Sequence, residues 1–323
     1  MEMLLLLLLP ALFVGGDALG GGEDDGGSSS GASEGSDAAT GFATDGDDAL
    51  TLSEAGNLLD ALDGADTVTG SSGEDTILGA DGDDEIHGSG GDDTLDGENG
   101  ADIVHGGAGD DLIYGGDGID RLYGEAGNDG LSGGRFADLL DGGDGADSLF
   151  AGAGDDTLQG GAGDDILYGG KGSDQIEGGA GDDTLGAYYD GNDNSFFANA
   201  DRADPDTIDG GAGDDAILLG TGDVATGGAG SDDFATGYWV GAQVPEVTDF
   251  EADEDIQIIL PAYELGAWTA ALEEAEDGSG DVTVQISQPG DTADEARDVM
   301  VIRGGAGIVS LENISFVSGD FAI

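Results

Sequence analysis

Aspartate recurs at every ninth residue from Asp66 to Asp183, and this series is the sequence's main candidate for chemistry. Carboxylates repeated at a fixed spacing provide a row of hard oxygen ligands, which divalent cations prefer. The series resumes beyond Asp183 after a break in the spacing. The predicted metal ligands are Asp66, Asp75, Asp84, Asp93, Asp102, Asp111, Asp120, Asp129, Asp138, Asp147, Asp156, Asp165, Asp174, Asp183, Asp206, Asp215 and Asp232.

The residues around each aspartate repeat as well. The segment 106–114, GGAGDDLIY, and the segment 160–168, GGAGDDILY, are almost the same phrase. Two residues after each aspartate of the uninterrupted series stands an aliphatic residue, from Val68 to Leu185. Glycines supply the unusual backbone conformations of a tight turn, and the remaining three residues are long enough only for a very short strand. Each nine-residue unit therefore predicts one turn and one strand.

This arrangement stacks the aspartates. The aliphatic side chain of each strand points inward and its neighbours outward, so two units make one coil of eighteen residues. Stacked coils lie ~4.8 Å apart, which brings Asp66 beside Asp84 and would cause strong repulsion without a cation between them. Oxygen ligands held in flexible glycine turns suit Ca²⁺ better than Mg²⁺, which demands a tighter octahedral shell. In the alternative interpretation the aspartates only solvate turns, which does not account for an unbroken series.

At these residues the chain resembles the RTX, or haemolysin-type, calcium-binding family, whose repeat is GGxGxDxUx with U an aliphatic residue. The resemblance covers residues 46–239 and implies an all-β fold, a parallel β-roll (β-solenoid) in which the aspartates above and turn carbonyls of successive coils share multiple Ca²⁺ ions. Two departures predict weak or empty sites: Phe136 replaces a turn glycine beside Arg135, and Ala151 replaces an opening glycine. The unit around Val224 is predicted to lack its aspartate.

Composition limits the partners and the stability of the chain. The net charge is −66, so nucleic acid and anionic lipid are poor partners. The absence of cysteine excludes disulfides and thiolate metal sites. One inward aliphatic residue per nine gives a thin core, which predicts a metal-free chain that is largely unfolded and that folds when Ca²⁺ binds outside the cell.

Both ends differ from the array. Residues 1–18 are predicted to be a hydrophobic signal peptide, a retained hydrophobic hook or a transmembrane anchor, although no stable membrane span is expected. Residues 19–45 form an acidic Gly/Ser linker. Residues 240–323 predict a small β-rich cap, with strands near 246–250, 255–260, 281–287, 299–303 and 314–317 and a helix over 262–276. The ending Asp320–Ile323 is similar to type I secretion signals, so the chain is expected to be extracellular, by an undecided export route.

No catalytic domain is predicted. The flanks are too short for one, there is no HExxH motif, and both histidines lie within the array, so the chain is expected to be non-enzymatic. One alternative is a cell-surface or matrix adhesin that holds glycan through an aromatic insertion at 187–203, and a remote one is an enzyme that degrades an extracellular polymer. The insertion could equally be a loop that covers the roll.

Three ring-bearing residues are spaced by eighteen, namely His87, His105 and Tyr123. This spacing predicts an outward ladder of stacked rings or a transition-metal contact.

Overall fold

The computed structural model describes residues 39–40, 43–53, 56–186, 205–237, 243–260, 268–288, 291, 296–304 and 308–318. The predicted signal segment 1–18, most of the linker 19–45, the aromatic insertion 187–203 and the ending Asp320–Ile323 lie outside these residues, so the interpretations placed on them remain predictions.

Each nonapeptide forms a turn and a short strand, as its pattern predicts. The strands alternate buried and exposed residues, with the inward residue at the centre, as in Thr76–Leu78. In chain order the strands are β1 (Ala39–Thr40), β2 (Ala49–Leu52), β3 (Leu58–Asp60), β4 (Thr67–Thr69), β5 (Thr76–Leu78), β6 (Glu85–His87), β7 (Thr94–Asp96), β8 (Ile103–Ala108), β9 (Leu112–Asp117), β10 (Arg121–Ala126), β11 (Gly130–Arg135), β12 (Leu139–Asp144), β13 (Ser148–Ala153), β14 (Thr157–Ala162), β15 (Ile166–Lys171), β16 (Gln175–Ala180), β17 (Thr184–Gly186), β18 (Thr207–Ala212), β19 (Ala216–Leu219), β20 (Val224–Ala229), β21 (Asp233–Gly237), β22 (Glu246–Val247), β23 (Asp255–Leu260), β24 (Thr269–Glu274), β25 (Val282–Ser287), β26 (Arg297–Ile302) and β27 (Ile314–Ser318).

Successive strands alternate between two sheets. From β2 to β22 the even-numbered strands pair in parallel in one sheet, and from β3 to β23 the odd-numbered strands do the same in the other. Within the regular array the register is eighteen residues, so Leu122 lies between Val104 and Leu140. The predicted parallel β-roll with two units per coil is confirmed.

The inward aliphatic residues form one continuous core between the sheets. All fourteen of the uninterrupted series are at most 2% exposed: Val68, Ile77, Ile86, Leu95, Val104, Ile113, Leu122, Leu131, Leu140, Leu149, Leu158, Leu167, Ile176 and Leu185. Burial of each contributes about 2 kcal/mol. Each unit supplies only one such side chain, so the core is thin.

The register continues across both irregularities of the array. β16 pairs with β18 although about thirty residues separate them, with Ile176 opposite Ile208. β18 then pairs with β20 in a coil one residue shorter, which places Ile208 opposite Ala225. The roll is therefore continuous on both sides of the segment 187–204.

The C-terminal strands extend the roll and then cap it. β23 and β27 continue one sheet in parallel, and β22 pairs with β26 in the other. β24, β25 and β26 then form an antiparallel meander. The predicted strands are present, although the first of them is shortened to Glu246–Val247.

The predicted helix over 262–276 is wrong where the structure describes it. Thr269–Glu274 is strand β24, paired antiparallel with Val282–Ser287. Its Ala, Leu and Glu residues favour a helix locally, but pairing across the turn at 275–281 outweighs that propensity. Gly278 and Gly280 adopt the left-handed backbone conformation in this turn, with φ of 78° and 82°.

In the part of the chain described, we find no helix with the length and apolar character needed to span a membrane.

Candidate calcium-binding turns

All seventeen predicted ligand aspartates lie inside the turns and are at most 3% exposed. They form two columns, one along each edge of the roll, because each stands directly before a strand and the strands alternate between the sheets. Asp102 and Asp120 are neighbours in one column, and Asp111 and Asp129 are neighbours in the other. Carboxylates are almost never so deeply buried without a partner.

One oxygen of each carboxylate is bound within the protein. The backbone N–H of Asp111 donates to Oδ1 of Asp129 in the next coil, at 2.7 Å, and the N–H of Asp129 donates to Oδ1 of Asp147, at 2.8 Å. The same bond recurs along both columns and fixes each carboxylate against the neighbouring coil. We call this series of bonds the inner ladder.

The second oxygen, Oδ2, has no hydrogen-bond partner in sixteen of the seventeen aspartates, although it is buried. These are Asp66, Asp84, Asp93, Asp102, Asp111, Asp120, Asp129, Asp138, Asp147, Asp156, Asp165, Asp174, Asp183, Asp206, Asp215 and Asp232. A buried, partnerless carboxylate oxygen is costly in the absence of a cation. Asp75 alone of the predicted ligands has its Oδ2 bound.

Where a turn opens with glycine, that glycine leaves room for this oxygen. A Cβ at Gly106 would lie 2.4 Å from Oδ2 of Asp111 and 2.9 Å from the carbonyl oxygen of Gly124 in the next coil. A carboxylate oxygen and a carbonyl oxygen from successive coils therefore approach the same small space. The second glycine, Gly107, adopts a left-handed conformation with φ of 112°.

The electrostatics of the columns favour a cation. Burial, reinforced by the neighbouring carboxylates, raises the pKa to about 7 for Asp93, Asp102, Asp129, Asp138, Asp174 and Asp183. The inner-ladder N–H lowers the pKa in each case, but by less than burial raises it. A nearby divalent cation acts in the opposite direction and holds the carboxylates ionised.

Calcium fits this ligand set. Among the residues that the structure describes, no three acidic or histidine side chains converge as one metal cluster. The carbonyl oxygens that approach the Oδ2 atoms, such as that of Gly124 near Asp111, would supply part of the shell of an ion in these turns. An all-oxygen shell of carboxylates and carbonyls held in glycine turns suits Ca²⁺, which accepts six to eight oxygens at variable angles.

A second set of aspartates lies outside the first. Oδ1 of Asp110 accepts from the backbone N–H of Asn128 in the following coil, at 2.8 Å. Asp92 and Asp164 accept from Asp110 and Asp182 in the same way. These outer carboxylates are exposed, and their bonds run in the opposite direction to the inner ladder. The sequence pattern alone did not reveal this outer ladder.

The predicted absence of an aspartate near Val224 is wrong. Asp223, directly before that residue, is fully buried, and its Oδ1 accepts from the N–H of Asp206 at 3.1 Å. The turn is one residue short, so Asp223 follows Asp215 by eight residues and falls outside a count of nine. Counting back nine residues from Asp232 would have found it.

Glu254 was also missed. It is 1% exposed and stands next after Asp232 in its column, because Asp233 pairs with Asp255 in the following strand. Burial raises its pKa to about 7. Neither its residue type nor its distance of twenty-two from Asp232 fits the repeat.

The two departures from the glycine pattern are accommodated by the backbone. Phe136 adopts a left-handed conformation with φ of 75° and is 60% exposed, and Ala151 is fully buried. The adjacent Asp138 and Asp156 still carry a partnerless Oδ2. The weak occupancy expected at these two turns remains a prediction.

His87, His105 and Tyr123 form the predicted outward ladder of rings. Their ring centroids are 4.8 and 4.7 Å apart and the rings are nearly parallel. His87 pairs with Glu85 and His105 with Glu125. The ladder follows from the eighteen-residue register and packs the rings against each other.

A family model agrees with this site. A family model described as the RTX calcium-binding nonapeptide repeat matches residues 42–77, 69–104, 78–113, 96–131, 105–140, 123–158, 150–185 and 201–224, which together span just over half of the chain. No curated protein matches the sequence. Among solved structures, the chain is similar to the solution structure of the AlgE6R3 subunit from the Azotobacter vinelandii mannuronan C5-epimerase, at 27% identity over 48% of this chain and 78% of that chain, with a TM-score of 0.21.

The repeat, the columns of buried aspartates and the family match concern the same residues. The chain belongs to the family of RTX calcium-binding nonapeptide-repeat proteins, and its turns bind multiple Ca²⁺ ions.

Proposed function

We propose that this chain is a secreted, non-enzymatic calcium-binding protein whose roll folds when it meets extracellular Ca²⁺. The observation that carries the proposal is the set of sixteen buried carboxylate oxygens that accept no hydrogen bond. In the absence of metal, these oxygens oppose folding, because each is removed from water without a hydrogen bond. In the presence of metal they become ligands.

The core is too thin to offset the cost of these buried oxygens. One buried aliphatic side chain contributes about 2 kcal/mol per nine-residue unit, whereas ordering the backbone costs about 1 kcal/mol or more for each residue. Metal binding in the turns supplies the missing stabilisation, so binding and folding become one linked event. Calcium modules that work outside cells typically bind in about the 10⁻⁴ to 10⁻³ M range, which keeps such a chain unfolded inside a cell and folds it outside.

The experiment that tests the proposal is far-UV circular dichroism of the full chain during a Ca²⁺ titration, with Mg²⁺ as the control. We expect a cooperative gain of β signal near millimolar Ca²⁺, little change with Mg²⁺, and reversal by chelator. A chain that is already folded in chelator, or that responds equally to both ions, contradicts the proposal.

The non-enzymatic part of the proposal rests on the chemistry of the described side chains. Both histidines stack in the outer ring ladder and pair with glutamates, and the buried aspartates are committed to the metal columns. We expect no turnover of polysaccharides or casein by the calcium-loaded chain. A hydrolytic activity toward either substrate that copurifies with the folded protein and disappears with chelator would overturn this part alone.

A further inference from the structure

The acidic residues at the ends of the two columns differ from all those between them. One column runs from Asp48 to Asp223 and the other from Asp75 to Glu254. In each of these four terminal residues one carboxylate oxygen accepts a hydrogen bond from its own turn. In the sixteen aspartates between the ends, Oδ2 accepts no hydrogen bond.

We call a turn closed when it donates such a hydrogen bond to its own carboxylate, and open when it does not. The two N-terminal ends are closed in the same way. The backbone N–H and hydroxyl of Ser71 both donate to Oδ2 of Asp75, at 2.7 and 2.8 Å. The N–H and hydroxyl of Thr44 donate to Oδ2 of Asp48 at the same two distances. In both turns a hydroxyl residue four positions before the aspartate occupies the place of the second glycine of the repeat.

The two C-terminal ends are closed by a backbone group alone. The N–H of Gly220 donates to Oδ2 of Asp223, and the N–H of Glu251 donates to Oε2 of Glu254 at 2.7 Å. In each case the donor lies three residues before the acidic residue, in a turn that departs from the nine-residue count. Asp223 and Glu254 are both almost completely buried.

Residue type alone does not close a turn, as Ser89 demonstrates. Ser89 occupies the same position before Asp93 as Ser71 does before Asp75, but it adopts a left-handed conformation with φ of 81°. Its hydroxyl lies 3.4 Å from the carbonyl oxygen of Gly70, and Oδ2 of Asp93 has no partner. The backbone conformation of the second turn residue therefore decides whether the carboxylate is open or closed.

We propose that the four closed turns do not take calcium and that hydrogen bonds from Ser71 and Thr44 replace an ion at the N-terminal end of the array. The ion-binding region is then bounded at both ends by turns that are complete without metal. A terminal carboxylate has a regular acidic neighbour on one side only, so it cannot share an ion with coils on both sides. Its own turn supplies the missing partner.

The test is the number of Ca²⁺ ions bound by the full chain, measured by equilibrium dialysis with metal analysis in excess Ca²⁺. Ser71→Gly removes the hydroxyl and permits the left-handed conformation, so we expect one additional ion per chain. Ser89→Gly is the matched control, because its turn is already open, and we expect no change. Thr44→Gly provides a second opening variant, also expected to add one ion.

The outcomes separate this proposal from the function on which it rests. Equal ion counts for the parent, Ser71→Gly and Thr44→Gly chains, with circular dichroism verifying that all are folded in Ca²⁺, would overturn the closed-turn proposal alone. Failure of calcium-driven folding would appear in the parent chain by circular dichroism, irrespective of any difference in ion count. An additional ion in Ser89→Gly would also overturn the proposal, because it would mean that the count does not depend on closure.

Discussion

The backbone N–H of Asp102 donates to Oδ1 of Asp120, 2.9 Å away in the next coil, while Oδ2 of Asp120 has no partner. One carboxylate thus does two different things: one oxygen holds the register of the coils and the other remains for the ion. Loss of the metal leaves the first bond intact and removes the compensation for the second oxygen. The predictions below separate these two contributions.

Substitutions of the two neighbouring aspartates in one turn should differ sharply in their effect on stability and on the Ca²⁺ midpoint for folding. Asp111→Asn keeps an amide oxygen for the inner ladder but loses the carboxylate charge, so we expect a loss of about 2 kcal/mol of stability in excess Ca²⁺ and a higher Ca²⁺ midpoint for folding. Asp110→Asn, in the exposed outer ladder, keeps its acceptor and should change either value little. Thermal unfolding in Ca²⁺ measures both, and equal effects of the two variants would argue against a buried metal column.

Acid should partly replace calcium. Burial raises the pKa of Asp93, Asp129 and Asp183, among others, from an ordinary value near 3.8 to about 7 in the metal-free fold. A raised pKa stabilises the fold fully below the unfolded value and loses that effect as pH rises through the folded value. We therefore expect the metal-free chain to gain β signal between pH 7 and pH 4, monitored by circular dichroism in metal-depleted buffer.

The same protons compete with the ion when Ca²⁺ is present. The Ca²⁺ midpoint for folding should be higher at pH 6 than at pH 8, because the column carboxylates must lose their protons to bind. A midpoint that is independent of pH, or a metal-free chain equally unfolded at pH 4 and pH 8, would contradict the raised pKa values of the columns.

The opening glycine at position 106 should not tolerate a side chain. Gly106→Ala places a Cβ 2.4 Å from Oδ2 of Asp111, so we expect a loss of at least about 2 kcal/mol and a lower affinity for Ca²⁺. Gly90→Ala is the control, since its nearest atom, the carbonyl oxygen of Ala108, lies 3.5 Å away and its backbone is not left-handed. Urea unfolding in excess Ca²⁺ should show a change of less than about 1 kcal/mol for this control.

Substitutions on the inner and outer faces of one strand should differ in how much stability they cost. Leu140 is fully buried between Leu122 and Leu158, so Leu140→Ala should cost about 2–5 kcal/mol in excess Ca²⁺. The adjacent Leu139, on the outer face of the same strand and half-buried, should cost clearly less when changed to alanine. Similar losses for both variants in urea unfolding would mean that the inward column is not the core.

The sequence was sufficient for the regular part of the roll because the same interactions repeat there. A period of nine with an aliphatic residue two positions after each aspartate predicts the alternation of strands between two sheets, the eighteen-residue register and the core. The stacked rings of His87 and His105 follow from that register as well. Where the pattern is regular, local and tertiary preferences agree.

The rest depended on interactions that the pattern does not contain. Asp223 was missed because its turn is one residue short, and Glu254 because a strand from outside the repeats places it in the column. The strand at Thr269–Glu274 follows from pairing with a partner, against its own helical propensity. Ser71 and Ser89 are the same residue at the same position of the repeat, and only their backbone conformations distinguish a closed turn from an open one.

The inner ladder crosses the segment after Gly186 without a break, since the N–H of Asp183 donates to Oδ1 of Asp215 at 2.8 Å although thirty-two residues separate them. The stacking of the coils is therefore regular even where the length of chain between two coils is not. In genetic terms, an in-frame duplication or deletion of eighteen codons would leave every remaining contact with an equivalent partner, whereas a change of nine codons would exchange the two faces of everything downstream. The number of coils is therefore a quantity that recombination can alter in whole steps, and with it the number of ions that one chain carries.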